Sequence, residues 1–267
     1  MTDMKTKMIL AAFCAAWACV AMADAMAKNP DVRTKNVLVL GDSISDKHHI
    51  GCETNYWGFL AERYGFTPFV YAINGQQMSH IPAQAQKFRK ENPDTKVDVV
   101  LIFAGTNDYN SGVPLGEWYS FTNEVVNVNG AEVVRKHRLF VFDAKTFRGR
   151  VNLALSSVRE NFPEAWIVML TPIHRGYATF GPKNVQPDES YANGLGLFLD
   201  SYVDVVKEAG NVWAVKVVDL HAVSGVFPNS RTQDGWICNP VRDRLHPSTQ
   251  GHKRIAEALA REIGRFF

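Results

Sequence analysis

The sequence predicts an α/β fold in which a five-stranded, mostly parallel sheet is covered by helices on both faces. Three observations carry this expectation. Short runs rich in Val, Ile and Leu recur along the chain, as at Asn36–Leu40, Val97–Phe103 and Trp166–Leu170. They alternate with longer segments of helical spacing, and Gly, Pro, Asn and Asp punctuate the joins. Unbroken apolar runs suit strands buried on both faces, and strand–helix alternation implies parallel pairing.

The elements follow in order. Asn36–Leu40 is a strand stopped by the turn residues of Gly41-Asp42-Ser43-Ile44-Ser45. Asn55–Tyr64 carries Trp57, Leu60 and Tyr64 at helical spacing, with Gly65 as its stop. Thr67–Ala72 is a second strand, Ile81–Lys90 is helix-compatible, and Val97–Phe103 is a third strand. The segment 111–143 breaks the rhythm: Val125–Val128 leads into Asn129-Gly130, a hairpin-turn pair, so it is expected to be an insertion. Thr146–Asn161 returns to helix, with Phe147, Val151, Leu155 and Val158 on one stripe and Pro163 beyond its end. Trp166–Leu170 is the fourth strand, Ile173–Glu189 is loop-like, Ser190–Ala209 is helical and Val212–Leu220 is the fifth strand. His221–Leu245 is rich in turn residues, and a final helix follows Pro247 with Ser248 as its N-cap.

Length and composition set further bounds. At 267 residues, 46% hydrophobic and 21% charged, the chain suits a single domain over 28–267 with the 111–143 insertion. A net charge of +2, without clustered Lys and Arg, argues against nucleic acid as a partner. Residues 1–27 differ in kind. Lys5 and Lys7 precede an apolar stretch from Met8 to Val20, followed by Ala21, Ala23, Ala25 and Ala27. A basic start, a short apolar stretch and small residues spell a cleaved signal peptide and hence export, periplasmic or extracellular. The apolar stretch falls short of the roughly 20 residues that span a bilayer. Removal of the leader leaves Cys52 and Cys238, enough for one disulfide in an oxidising compartment.

The chemistry centres on Ser43, just past a strand end, the sheet edge where ligands bind in open α/β folds. A serine hydroxyl needs a base to take its proton and gains from an acid that orients the base. Two histidines lie three residues after an aspartate: His49 after Asp46, and His246 after Asp243. His49 follows Ser43 along the same loop, whereas Asp243 and His246 come after the last strand and so return to its sheet edge; the second pair is favoured. A tetrahedral intermediate also requires donors for its oxyanion. Asn107, in Gly105-Thr106-Asn107-Asp108, follows the third strand, and Gly75 follows the second.

Taken together, Gly41-Asp42-Ser43-Ile44-Ser45, Gly75, Gly105-Thr106-Asn107-Asp108 and Asp243-Arg244-Leu245-His246-Pro247 resemble the four ordered blocks of the SGNH (GDSL) hydrolase superfamily. The resemblance implies a flavodoxin-like three-layer α/β/α sandwich. It implies Ser43 as nucleophile, His246 as base, Asp243 as its orienting acid, and an oxyanion hole made by Ser43, Gly75 and Asn107. It further implies hydrolysis of esters, and sometimes thioesters or amides, through an acyl-enzyme without metal or cofactor.

Export, a balanced charge and the aromatic insertion favour a carbohydrate O-acetyl esterase, with lipid or aryl esters as the alternative and a non-catalytic glycan-binding protein as a second class. Trp118, Tyr119 and His174 are candidate substrate contacts. His48, His49, Cys52 and Glu53 lack the paired spacing of metal ligands, so no metal site is expected there.

Overall fold

The computed structural model describes residues 34–267, so the signal-peptide segment lies outside the described residues. The chain enters β1 (Asn36–Gly41), passes through α1 (Tyr56–Tyr64) into β2 (Thr67–Val70), and through α2 (Ile81–Glu91) into β3 (Val99–Phe103). After the short helix α3 (Thr106–Asn110) comes a hairpin, β4 (Tyr119–Val128) and β5 (Ala131–Phe140). Helix α4 (Phe147–Asn161) returns the chain to β6 (Trp166–Leu170), followed by the small strands β7 (Ala178–Gly181) and β8 (Asn184–Gln186). Then come α5 (Leu199–Trp213), β9 (Lys216–Val218), the single turn α6 (Leu220–Val223), β10 (Ile237–Asn239), β11 (Asp243–Pro247) and α7 (Thr249–Ile263).

The main sheet has the order β2-β1-β3-β6-β9, and every neighbouring pair is parallel. This is the flavodoxin-like arrangement, and it explains why the strands carry unbroken apolar runs. Leu38, Leu40, Val100 and Ile102 face α2, α4 and α5, while Val37, Val39, Val99 and Leu101 face α1 and α7. Each strand therefore feeds two cores, one per face, and none of these eight side chains reaches solvent. Burying one such side chain fully is worth roughly 1.5–3 kcal/mol, so the sheet is the rigid part of the molecule. The chain runs from β1 outward to β2, then crosses to the other side of β1 as β3, which creates a switch point above β1.

The local signals account for most boundaries. Gly65 ends α1 in the left-handed region at φ 71°, its N–H donating to Ala61 O at 2.8 Å. Ser248 caps α7, accepting from Gly251 N through its side chain. The insertion is a two-stranded hairpin whose turn residues Asn129 and Gly130 have φ of 53° and 86°, as an Asn-Gly hairpin turn requires.

Four expectations are corrected. Residues 173–189, expected as loop, contain β7 and β8. The segment 190–198, expected to be helical, is irregular: Asn193 Oδ1 accepts from Leu195 N and Leu197 N, and Gly196 takes φ 74°. The helix accordingly starts at Leu199 and continues to Trp213, which shortens the fifth sheet strand to Lys216–Val218. The turn-rich stretch before α7 likewise holds β10 and β11, which join β7 and β8 in a second sheet of order β10-β11-β7-β8. Among the described residues no helix is long and apolar enough to cross a membrane.

Candidate active site

Three consecutive loops of the main sheet meet at the switch point. Ser43 follows β1, Gly75 follows β2 and Asn107 sits in α3 after β3. The small antiparallel sheet brings the fourth component: Asp243 pairs with Ala178 of β7, which turns His246 over the edge toward Ser43. His246 Nε2 lies 2.8 Å from Ser43 Oγ, and His246 Nδ1 lies 2.8 Å from Asp243 Oδ2. Asp243 Oδ1 also accepts from the backbone N–H groups of Leu245 (3.2 Å) and His246 (3.0 Å), so one carboxylate fixes both the turn and the ring. The spacing of three residues works because the chain curls around this carboxylate rather than running straight.

The electrostatics agree with that arrangement. Burial by itself would raise the pKa of Asp243, but the hydrogen bond and charge of His246, aided by two backbone N–H donors, hold it below the usual carboxylate range. Asp243 is thus an ionised acceptor facing His246 Nδ1, an arrangement in which Nε2 can accept a proton from Ser43 Oγ. Beneath the turn, Asp42 has the opposite fate: burial pushes it up to about 7 against the Ile44 N–H and the charges of His246 and Arg175.

A cavity of about 250 Å³ opens in front of Ser43, lined by Ile50, Gly75, Asn107, Phe180 and His246 among others. Among the described residues, the backbone N–H groups of Ser43 and Gly75 have no acceptor. Buried N–H groups are nearly always paired, so an unpaired donor on Ser43, which is 4% exposed, stands ready for a ligand oxygen. Asn107 donates one amide hydrogen to Gln76 O at 2.9 Å, leaving its second available. Gly75 adopts φ 76°, a conformation that suits glycine at this turn. A larger cavity of about 450 Å³ lies beyond Asp46, between His48 and Glu91, and holds no nucleophile–base pair.

Several supporting residues carry no signal in the sequence pattern. Gln84 of α2 accepts from Gly41 N and donates to Gly41 O, both at 2.8 Å, clamping the end of β1. Asp46 accepts from Asn74 N at 2.7 Å, joining the first two loops. Arg150 pairs with the buried Asp108 at 2.8 Å and thereby holds α3. The buried Arg175 reaches Thr106 on one side and Gln186 Oε1, at 2.7 Å, on the other. Phe180 packs its ring edge-on to His246, with centroids 5.6 Å apart. The β-prone run Tyr177–Phe180, followed after Gly181 by Val185, was the available signal for the pocket-forming hairpin.

Other candidates are placed elsewhere. Trp118 and Tyr119 do not line the cavity: the chain after α3 turns down over α4 and α5, where Asn152 Nδ2 donates to Trp118 O and Trp118 Nε1 donates to Glu208. Tyr119 pairs with Phe140 at the base of the hairpin. His174 is not among the residues lining the cavity and instead pairs with Glu189, at 2.6 Å. His49 contacts Asn55, while Asp46 binds His48, so the alternative Asp46–His49 pair does not form. Nor are Cys52 and Cys238 bonded: both are free thiols, Cys52 Sγ donating to Asn55 Oδ1 at 2.8 Å while Cys238 packs against Gly51.

A parallel α/β/α sandwich with a serine, histidine and aspartate at its switch point defines the class of α/β hydrolytic enzymes built on this edge. Within it, the model of the GDSL-like lipase/acylhydrolase family matches residues 39–254, and the chain belongs to that family of ester-hydrolysing enzymes. The fold is also found in a protein from Lactobacillus plantarum (TM-score 0.66, 23% identity, covering 88% of this chain and 99% of that one). A possible lipase from Chitinophaga pinensis aligns with TM-score 0.63 at 20% identity over 86% of this chain and 98% of that one. A member of the lipolytic G-D-S-L family from Veillonella parvula aligns with TM-score 0.56 at 10% identity, over 87% and 100%. No curated protein matches the chain in sequence.

Proposed function

We propose that the chain is an exported serine esterase that removes short acyl groups, most readily acetyl, from carbohydrate esters. The observation that carries this reading is the unbroken relay Ser43 Oγ, His246 Nε2, His246 Nδ1, Asp243 Oδ2, with both links at 2.8 Å, facing a cavity with unspent N–H donors. In the proposed course the Ser43 proton passes to His246 Nε2 as Oγ attacks the ester carbonyl carbon. The oxyanion is held by the N–H groups of Ser43 and Gly75 and by the Asn107 amide. His246 then returns the proton to the departing alcohol, leaving an acyl-serine; it next deprotonates a water, which releases the acid and restores the serine.

The acyl preference rests on size and polarity. A cavity of about 250 Å³ floored by Ile50, Phe180 and Leu245 suits a small acyl group. Asn74, Asn184 and Gln186 around the same opening offer hydrogen bonds to a hydroxylated alcohol. The export part rests on the basic and apolar pattern of residues 5–20.

The test compares wild type with Ser43→Ala on nitrophenyl acetate, on longer nitrophenyl esters and on acetylated oligosaccharides. Turnover falling at least about a thousandfold in the variant, with acetyl favoured, is the expected outcome. Equal rates for both proteins would overturn the serine mechanism, and rates that climb with acyl length would replace the acetyl reading with a lipid esterase.

A further inference from the structure

Away from the Ser43 cavity, the same sheet edge carries a second cluster. His174 follows β6, His221 lies in α6 after β9, and Glu189 follows β8. Each can offer one ligand atom, and these atoms all lie within 4.8 Å of one another. We propose that His174, Glu189 and His221 bind one divalent cation of the zinc type, and that this ion fastens the β7–β8 hairpin to the ends of β6 and β9.

The donor set is two imidazoles and one carboxylate, a combination that zinc and neighbouring first-row cations accept with water in the remaining positions. The three ligands come from separate segments, so the cluster is made by the tertiary fold rather than by one helix. Glu189 is oriented from behind, since its Oε2 accepts from Arg175 N at 2.9 Å; this is the kind of outer contact that aims a metal ligand. The ion pair His174 Nδ1–Glu189 Oε1, at 2.6 Å, accounts for two of the three residues without a metal. It does not account for His221. That imidazole lies tilted against His174, with centroids 3.6 Å and planes 36° apart, and its Nδ1 is buried with no hydrogen-bond partner. A buried ring nitrogen left unpaired is unfavourable, and a cation bound by both rings would give it a partner. Asp219 and Asp200 add negative charge around His221, and Phe227 covers the outer edge of His174.

The consequence reaches the pocket without entering the chemistry. Phe180, Asn184 and Gln186, which line the cavity, belong to the hairpin that Glu189 would anchor. The ion is therefore a positioning element, and its binding does not depend on the esterase reading.

The experiment uses the whole mature protein, stripped with a chelator and dialysed, then titrated with Zn²⁺ by calorimetry and with Co²⁺ by visible absorption. Wild type and Ser43→Ala are expected to take up one ion per chain with a rise in thermal midpoint, and Co²⁺ to show the ligand-field bands of a protein-bound ion. Glu189→Gln, which keeps the side-chain shape, and His221→Phe, which keeps a ring on His174, are each expected to weaken binding at least about tenfold. His137→Ala, at the exposed His137–Glu124 pair, is the control and should bind as wild type. No uptake by the wild type would overturn the proposal. So would uptake unchanged in both Glu189→Gln and His221→Phe, or uptake lost in His137→Ala instead. Because Ser43→Ala is silent in the esterase assay yet competent here, failure of either proposal can be told from failure of the other.

Discussion

The buried ring of His252 makes the fold sensitive to acid. It lies in the first turns of α7, 1% exposed, with its ring stacked on Tyr56 at 6.2 Å and Nδ1 accepting from Tyr56 N at 3.3 Å. Burial, with smaller contributions from the charges of His246 and His49, lowers its pKa from 6.5 to about 3. In the unfolded chain the ring takes a proton as pH drops below 6.5, whereas the folded ring stays neutral. The unfolded state then binds more protons, and stability declines as pH falls. The gap of about 3.5 pH units corresponds to about 5 kcal/mol over the whole range, and to about 2 kcal/mol by pH 5. His252→Gln removes the titration while still offering a carbonyl oxygen to Tyr56 N. Guanidinium unfolding at several pH values should find the variant less stable than wild type at pH 7.5, through lost packing. That difference should narrow by about 2 kcal/mol at pH 5, because all other titrations are common to both proteins. A difference that stays constant between pH 7.5 and 5 would refute the assignment of acid sensitivity to this ring.

Further outcomes follow from the site and its supports. Asp243→Asn removes the ionised acceptor at His246 Nδ1, so kcat on a short nitrophenyl ester should fall by about a thousandfold or more, with little change in the thermal midpoint. Gly41→Ala puts a methyl against the Phe103 carbonyl oxygen at a φ of 151°, and should cost about 2–4 kcal/mol in denaturant unfolding. Cys52 and Cys238 are separate thiols, so titration of the unfolded, unreduced protein without residues 1–27 should find two free thiols; in the native fold burial raises Cys52 to about 11, with Cys238 raised in the same sense. Iodoacetamide at pH 8 should modify Cys52 about a hundredfold more slowly in the native protein than after unfolding, as mass spectrometry would record.

What was legible in the sequence follows from how local each signal is. β1, β3 and β6 are buried on both faces, so they appear as apolar runs that no helix of comparable length explains, and the Asn129-Gly130 turn follows from two residues with positive φ. The four loops around Ser43 were legible because parallel topology forces loops after successive strands onto one edge; that rule needs no side-chain detail. The walls of the pocket were not legible for the converse reason. Phe180 and Gln186 sit on strands of three or four residues whose pairing is set by Arg244, whose backbone O and N bond Gly176 and Tyr177, and by the buried Arg175 bridging Gln186 to Thr106. The contacts of Arg244 with Gly176 and Tyr177, and of Arg175 with Thr106, join residues far apart in the chain, and no periodicity announces them. Trp118 and Tyr119 failed as substrate contacts by the same logic: nearness in sequence to Asn107 says nothing about where a ten-residue strand leads, and the bonds from Asn152 carry it over α4 instead. The position of Ser43 is therefore fixed by topology and the walls of its cavity by tertiary contacts, so the proposed acyl and alcohol preferences are to be sought in the β7–β8 hairpin rather than in the insertion.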